Sequence, residues 1–246
     1  MLFRSPGIQS AGEGNSGFYV RGGGPDQNLV LVDDAVVYNA SHLFGFFSVF
    51  NADAVKDIEI TKGTMPARFG GRVSSVLDIG LKEGNARRTA VSGGLGLISS
   101  RLTVEAPLVE DTASFIISGR RTYIDVLAKP FVNPESAFSG SGYYFYDLNA
   151  KVNWRASAKN QFYLSGYFGR DVFDFRSSAS NFGSRIPWGN ATVTARWNHV
   201  ISDKAFLTTT ATYSDYEFAF EARQDSFTFG FRSGIDRSEE HTSELQ

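Results

Sequence analysis

The sequence predicts a small α/β domain followed by part of an antiparallel transmembrane β-barrel. Three observations carry this reading. The 246 residues include 22 Phe, 10 Tyr and 25 Gly against 2 Met and no Cys, a composition that suits pleated surfaces and interrupts helices. From about residue 86 the chain becomes a series of long segments in which polar and apolar residues alternate. The connections between those segments alternate too, one short and the next long.

Composition limits the function classes. A formal net charge of −2 gives no electrostatic reason to expect nucleic acid. The lack of Cys excludes disulfides and thiolate chemistry without assigning a compartment. No run of about 18 apolar residues occurs, so no transmembrane helix is expected. The N-terminal stretch MLFRSPGIQSAGEGNSG has no apolar core long enough for a signal peptide. Met1 falls directly into Gly/Ser-rich turn material, as if upstream sequence were missing. Residues 237–246, RSEEHTSELQ, look like a sequencing-library adapter read in frame under one choice of codons. They are expected to be foreign and are set aside from fold reasoning.

In the first third, GFYVRGG (17–23) and QNLVLVDDAVVY (27–38) read as strands, the second broken by a turn at Asp33-Asp34. Ser41 is expected to cap a short helical turn, and NADAV (51–55) resembles a second N-cap leading into the strand KDIEITKG. Lys62-Gly63 with Gly70-Gly71 raises the question of a phosphate cradle. A P-loop needs Gly-x4-Gly-Lys-Ser/Thr opening a helix. Here the lysine precedes its glycine, and RVSSVLDI (72–79) reads as a strand, so nucleotide binding is rejected.

The second region carries the barrel pattern. In DLNAKVNWRA (147–156), Asp147, Asn149, Lys151, Asn153 and Arg155 form one face. Leu148, Ala150, Val152, Trp154 and Ala156 form the other. NATVTARWN (190–198) and QFYLSGYFG (161–169) alternate in the same way. Such dyads approach the 9–11 residues of a membrane strand and exceed the usual globular strand of about 5–6. Eight strands are expected: 88–97, 99–107, 112–122, 143–156, 161–174, 188–201, 205–219 and one from 226. Connections 108–112, 157–160 and 202–205 are short, whereas 123–142 and 175–187 are long. Outer-membrane barrels sort their turns and loops in this way. A secreted β-rich carbohydrate-binding module or hydrolase domain is the competing class; it would turn its apolar residues inward and show no such sorting.

YVRGGGPDQNLVLVDDAVV followed by FNADAVKDIEITKGTMPARFGGRVSSVLDI resembles the plug domain of TonB-dependent outer-membrane receptors. That family's pattern is an Arg-Gly after a strand, a Leu-Val-Asp-Gly-like turn, an Ile-Glu-x-Ile-x-Lys/Arg-Gly strand end and an aromatic-Gly pair. The chain departs from it at Asp34-Ala35, where the family commonly has Asp-Gly. RRTYIDV (120–126) is similar to the third barrel strand of the larger members. The resemblance implies a barrel of about 22 strands closed around the plug, of which about eight are present. It implies domains at 1–82 (plug) and 83–236 (barrel), with 237–246 as the foreign tail.

Site residues follow from the same resemblance. Arg21 and Lys62 are expected to lock plug to barrel, paired with carboxylates on strands beyond residue 246. Gly22, Asp33, Glu59, Gly63, Phe69 and Gly70 make up the plug motif. The plug loops 10–16, 22–27 and 38–47 would face incoming ligand, with Glu13, Asn15, Asp26, Gln27, Tyr38, Asn39 and His42 as candidate contacts. The expected location is the outer membrane of a Gram-negative bacterium. The expected partners are TonB (through a missing N-terminal box), an imported small ligand, membrane lipid and a surface lipoprotein. No enzyme activity, cofactor or metal is implied. Asp33-Asp34 reads as a turn rather than a catalytic pair, and His42, His199 and His241 have no metal-ligand spacing. The sequons at Asn39 and Asn190 are weak patterns.

Overall fold

The computed structural model describes residues 8–10, 17–127, 129–131, 140–177 and 180–245. The N-terminal domain begins with β1 (Ile8–Ser10) paired antiparallel to β2 (Phe18–Val20). A 3-10 turn at Pro25–Gln27 leads into β3 (Asn28–Val32) and β4 (Ala35–Val36). A small hairpin follows, β5 (Ser41–His42) and β6 (Phe47–Ser48), with a 3-10 turn at Leu43–Gly45 between them. Two longer strands, β7 (Val55–Lys62) and β8 (Ser75–Leu81), complete a four-stranded sheet of order β4-β3-β8-β7. Strands β3 and β8 are parallel in this sheet. All five residues of β3 are buried: a central strand covered on both faces takes an apolar run, here 29–32, and the buried Asn28 donates to Phe18 O at 2.9 Å and accepts from Ser75 Oγ at 2.7 Å.

The sheet divides two apolar groups. Leu29, Leu31, Val36 and Val76 lie together with Met65 and Phe69 packed on them. On the other side Val20, Val30, Leu77 and Ile79 join Ile8 and Phe18. The glycines of the β7–β8 connection serve the backbone: Gly63 has φ +96° and Gly71 φ +80°, conformations that an L side chain resists. A strand and not a helix follows them, so no ring of helix-terminal amides is available for phosphate.

Three local expectations are corrected. Ser41 does not cap a helix; it lies in β5, and the 3-10 turn has His42 at its N-cap position with no side-chain cap bond. The NADAV segment is a turn in which Asn51 Oδ1 accepts from the Asp53 amide at 3.2 Å, an Asx turn that competes successfully with helix initiation. At Asp33-Asp34 both residues have positive φ, +46° and +73°, and Val32 pairs with Ala35. This is a two-residue hairpin turn of the primed kind. The residue standing where glycine would be easiest is therefore Asp34; Ala35 already belongs to β4.

Eight antiparallel strands in chain order form the second sheet, the wall. They are β9 (Ala90–Leu95), β10 (Ser99–Val109), β11 (Ala113–Thr122), β12 (Gly142–Arg155), β13 (Asn160–Ser177), β14 (Phe182–Ser202), β15 (Ala205–Gln224) and β16 (Phe227–Leu245). One helical turn, α1 (Ile124–Leu127), follows β11. The eight expected strands are present. The long loop expected at 175–187 is not: β13 and β14 pair as far as Ser177 and Phe182. Ser, Gly and Pro in that stretch suggested a loop, but Phe175 and Phe182 meet across the strands and Pro187 is accommodated where pairing to β15 lapses at 186–187. Residues 237–245, set aside as a foreign tail, continue β16 in register with β15. Backbone pairing of an edge strand needs no particular side chains, so it follows from the neighbour and not from this sequence.

The alternation in β12 is borne out. Asp147, Asn149 and Lys151 are buried while Leu148 and Trp154 are about half exposed. The buried, polar face meets the N-terminal domain. On the opposite face Trp154, Phe162 and Trp197 stack in a ladder at 5.5 and 6.1 Å, next to the short turn that joins β12 to β13.

Candidate functional site

The seam between the N-terminal domain and the wall is lined by polar and charged side chains. At the β3–β4 turn, Lys151 Nζ lies 3.1 and 3.0 Å from the two carboxylate oxygens of Asp33 and donates to Leu81 O at 3.0 Å. Asp33 Oδ1 also accepts from the Leu81 amide at 3.1 Å. Asp33 and Lys151 are buried. The adjoining Asp34 is ion-paired with Arg196 of β14. The primed turn makes this possible, because two successive left-handed residues turn both carboxylates out of the domain's sheet toward the wall.

A second polar group surrounds the β5–β6 hairpin. His42 Nδ1 lies 2.6 Å from Asp171 Oδ2, and its Nε2 is 3.4 Å from Asp147 Oδ2. The imidazole stacks on Phe145 with centroids 4.0 Å apart and planes 5° from parallel. Arg120 reaches the same Asp147 oxygen from β11 at 2.6 and 2.8 Å and donates to Ser48 O at 2.8 Å. The Leu43 amide donates to Tyr143 Oη at 2.6 Å and to Asp171 Oδ1 at 3.2 Å. Burial disfavours a charge on His42, but the hydrogen bonds and negative charges of Asp147 and Asp171 outweigh it, and its pKa stands above the ordinary histidine value.

Neutral groups complete the seam. Asn51 donates to Ser118 at 2.8 Å, and Ser118 in turn meets Thr103 at 2.6 Å. Ser114 and Asn153 both donate to Glu83 O, at 2.7 and 2.9 Å. At Gly84 (φ +80°) a Cβ would lie 2.3 Å from Phe115 O, so the chain can cross from one domain to the other here only as glycine. Tyr38 N donates to Asn190 Oδ1 at 2.8 Å.

The sequence-derived candidates fall in different places. The Arg21 guanidinium lies against Gly63, close enough that a Cβ there would stand 2.7 Å from Nη1. The motif's Arg-Gly and Lys-Gly elements are thus neighbours, Arg21 being exposed and Lys62 half-buried. Gly22 has φ +84°, Phe69 belongs to an apolar group, and Gly70 and the Glu59 side chain are at the surface. Asp26, Gln27 and Asn39 are exposed, and Tyr38 is half-buried, 6.0 Å from the Tyr216 ring. Glu13 and Asn15 lie outside the described residues. His42 does not face open space: it is 1% exposed and held by wall carboxylates. The loop position read as a ligand contact is a seam position because its two neighbours in space, Asp147 and Asp171, lie more than a hundred residues away. Asp34, Arg120, Asp147, Lys151, Asp171 and Arg196 carry no sequence signal that marks them as contacts across the seam. For Lys151 and Asp147 the alternation of β12 gave the facing but not the partner.

A family model described as TonB-dependent Receptor Plug Domain matches residues 1–75. No curated protein sequence matches the chain. Among solved structures, a mutant of the ferric enterobactin receptor PfeA from Pseudomonas aeruginosa is 17% identical with a TM-score of 0.63, over 97% of this chain and 42% of that one. The outer membrane transporter YddB from Escherichia coli is 12% identical with a TM-score of 0.67, over 99% and 42%. The copper transporter OprC is 13% identical with a TM-score of 0.59, over 97% and 43%. The chain therefore spans less than half the length of these structures. Residues 1–75 thus match the plug-domain family of TonB-dependent receptors, and the fold of the chain as a whole is similar to that of these outer-membrane transporters.

Proposed function

We propose that the chain provides the plug and the first wall strands of a receptor for energised uptake of a scarce nutrient across a Gram-negative outer membrane. The observation that carries this is the polar seam: a compact domain seated on the polar side of a sheet whose other side carries an exposed aromatic ladder. A secreted carbohydrate-binding module or hydrolase would bury the apolar face of its sheet instead. Plug residues 1–82, wall residues 83–236 and a foreign tail at 237–246 fit this reading. Arg21 and Lys62 then sit on the plug surface as the pair that meets wall strands beyond those described.

TonB, an imported ligand and membrane lipid are the partners this reading requires, and a surface lipoprotein is compatible with it. The ligand class stays open among siderophore, vitamin, oligosaccharide and peptide. Similar folds in a ferric enterobactin receptor and a copper transporter support the view that the scaffold does not set it. Nothing in the seam calls for catalysis.

The test is expression of residues 1–236. A wall of eight strands exposes unpaired edges, and each unpaired backbone group in hydrocarbon costs several kcal/mol. The expected product is inclusion bodies or detergent-dependent aggregate. A monodisperse, soluble monomer with a cooperative melt would favour the secreted module and overturn the reading.

A further inference from the structure

We propose that His42, as an imidazolium, is a latch holding the β5–β6 hairpin of the plug against wall strands β12 and β13, and that the latch opens as pH rises. The inference rests on plug–wall geometry alone and is the same whatever ligand the receptor takes.

Charge balance is the first argument. Asp147 and Asp171 are buried, their side chains 0% and 3% exposed, and Arg120 supplies one positive charge to Asp147. Nothing cationic but His42 reaches Asp171 among the contacts described, at 2.6 Å. With His42 neutral the group carries a net negative charge out of water; with His42 charged it is balanced. The contacts agree with the charged form. Nδ1 is hydrogen-bonded to Asp171, while the buried Nε2 has no hydrogen-bond partner and stands 3.4 Å from Asp147 Oδ2; only the imidazolium presents a proton, and a positive charge, to both carboxylates. Stacking on Phe145 and the position of Arg120 over the same ring, 5.0 Å from its centroid, leave little room for His42 to turn away.

Local strain is the second argument. Leu43, next in sequence, has φ +50°, a conformation that costs a branched residue and persists only where its surroundings impose it. Its amide is held by Tyr143 and Asp171, the same wall residues that face His42. The hairpin is thus held in a shape it would not choose alone, and the restraint is supplied by the wall. Within 38–51 the only other titratable residue is Tyr38. The charged or titratable groups around the imidazole and its two carboxylates are Arg120 from β11, Tyr143 and Asp147 from β12, and Tyr167 and Asp171 from β13, with Tyr216 of β15 beyond Asp171.

The sign follows from the direction of the histidine shift. A docked pKa above the free one means the latch is fully present below the ordinary value near 6.5. It weakens by up to tenfold per pH unit above that, until the docked value is passed.

Hydrogen exchange by mass spectrometry on the whole receptor in detergent tests this, with rates corrected for the intrinsic effect of pH. Amides of 41–50 in the wild type should keep constant protection below pH 6.5 and lose it above, while 76–81 of β8 stays protected. His42→Gln should hold protection of 41–50, at every pH, near the low level that the wild type reaches at high pH, and abolish its pH dependence. Asp171→Asn should move the loss to lower pH. Equal wild-type protection of 41–50 at pH 6 and pH 9 would overturn the proposal, and it requires no variant to fold. An unchanged pH profile in His42→Gln would overturn it too, by assigning the titration to another group.

Discussion

Replacing Asp33 by Asn isolates the charge in the Asp33–Lys151 contact. Asn accepts the left-handed backbone at φ +46° as readily as Asp. Its amide oxygen can still accept from the Leu81 amide. What disappears is the charge opposite Lys151, a residue only 6% exposed. Leaving one member of a buried pair uncompensated costs about 3–5 kcal/mol. Leu81 O, 3.0 Å from Nζ, still accepts one of the ammonium protons, so the lower end, about 3 kcal/mol, is expected. At about 1.4 kcal/mol per decade this is roughly a hundredfold gain in the opening of β8. Lys151→Met is the harsher change, because Asp33 then keeps its charge with only the Leu81 amide beside it, and the upper end applies. The double variant, Asp33→Asn with Lys151→Met, should recover most of the loss, since a buried pair replaced as a unit is often near neutral. Hydrogen exchange at Val76–Leu81 in the detergent-solubilised receptor measures all four states. If Asp33→Asn changes exchange less than about threefold, or if the two single effects simply add in the double variant, Asp33 and Lys151 do not act as a pair and the reasoning fails.

Other expectations concern the faces, the topology and the remaining charges. Single Cys substitutions along 148–154 should react with a water-soluble reagent in a pattern of period two, Leu148, Ala150, Val152 and Trp154 against Asn149, Lys151 and Asn153. A Lys turned to lipid would cost about 2–4 kcal/mol at the midplane, so equal reactivity at odd and even positions would refute the assignment. Protease added to intact cells should reach 123–142 and spare Lys159 and Lys204; cleavage at either lysine from outside would reverse the topology. Arg21→Ala, and more weakly Lys62→Ala, should loosen the plug by up to several kcal/mol if they meet wall carboxylates. Unchanged melting together with unchanged uptake would show them to be solvated. Burial, then the charge of Asp34, pushes the Asp78 carboxyl from 3.8 up to about 6, against the pull of Arg196. A raised carboxyl pKa means that stability falls as pH rises from about 4 to 6 and stays reduced above. Asp78→Asn should therefore stabilise the plug at pH 7 by on the order of 1–3 kcal/mol and flatten the pH 4–6 slope of its melting temperature; an undiminished slope would place the titration elsewhere.

The sequence displayed whatever was periodic or local. Strand facing in β12 follows from a period of two, and Asp33-Asp34 is a turn because two short acidic side chains tolerate left-handed backbone. Hairpin neighbours follow from chain order. The strand ends at 175–187 read as a loop because Ser, Gly and Pro signal one on average, while the ring contact of Phe175 with Phe182 and pairing to the neighbouring strands outweigh that preference. The seam was illegible for a different reason. Asp33 meets Lys151 across 118 residues, Asp34 meets Arg196 across 162, and His42 meets Asp171 across 129. No local propensity encodes which inward-facing residue of a wall strand will stand opposite which turn of the plug. The register of the whole sheet decides it.

That register joins two kinds of burial. Inside the plug the buried side chains are chiefly aliphatic, Val20, Leu31, Val76 and Ile79 among them, whereas on the wall's inner face they include Thr103, Ser118, Asp147, Asn149, Lys151 and Asp171. The two hold differently. An apolar core is lost only by exposing its area to water, at about 25 cal/mol per Å². A satisfied polar contact gives back much of its energy when water replaces the partner, so its net worth is about 1 kcal/mol. The charged pairs depart from this rule in one direction, since removing one partner while the other stays buried is costly. A seam of this kind resists piecemeal damage yet separates as a unit when water enters, while the apolar plug sheet stays whole. A domain held in this way can be displaced from its wall without being unfolded first, and the buried charges at the β3–β4 turn and around His42 are where that displacement would be resisted most.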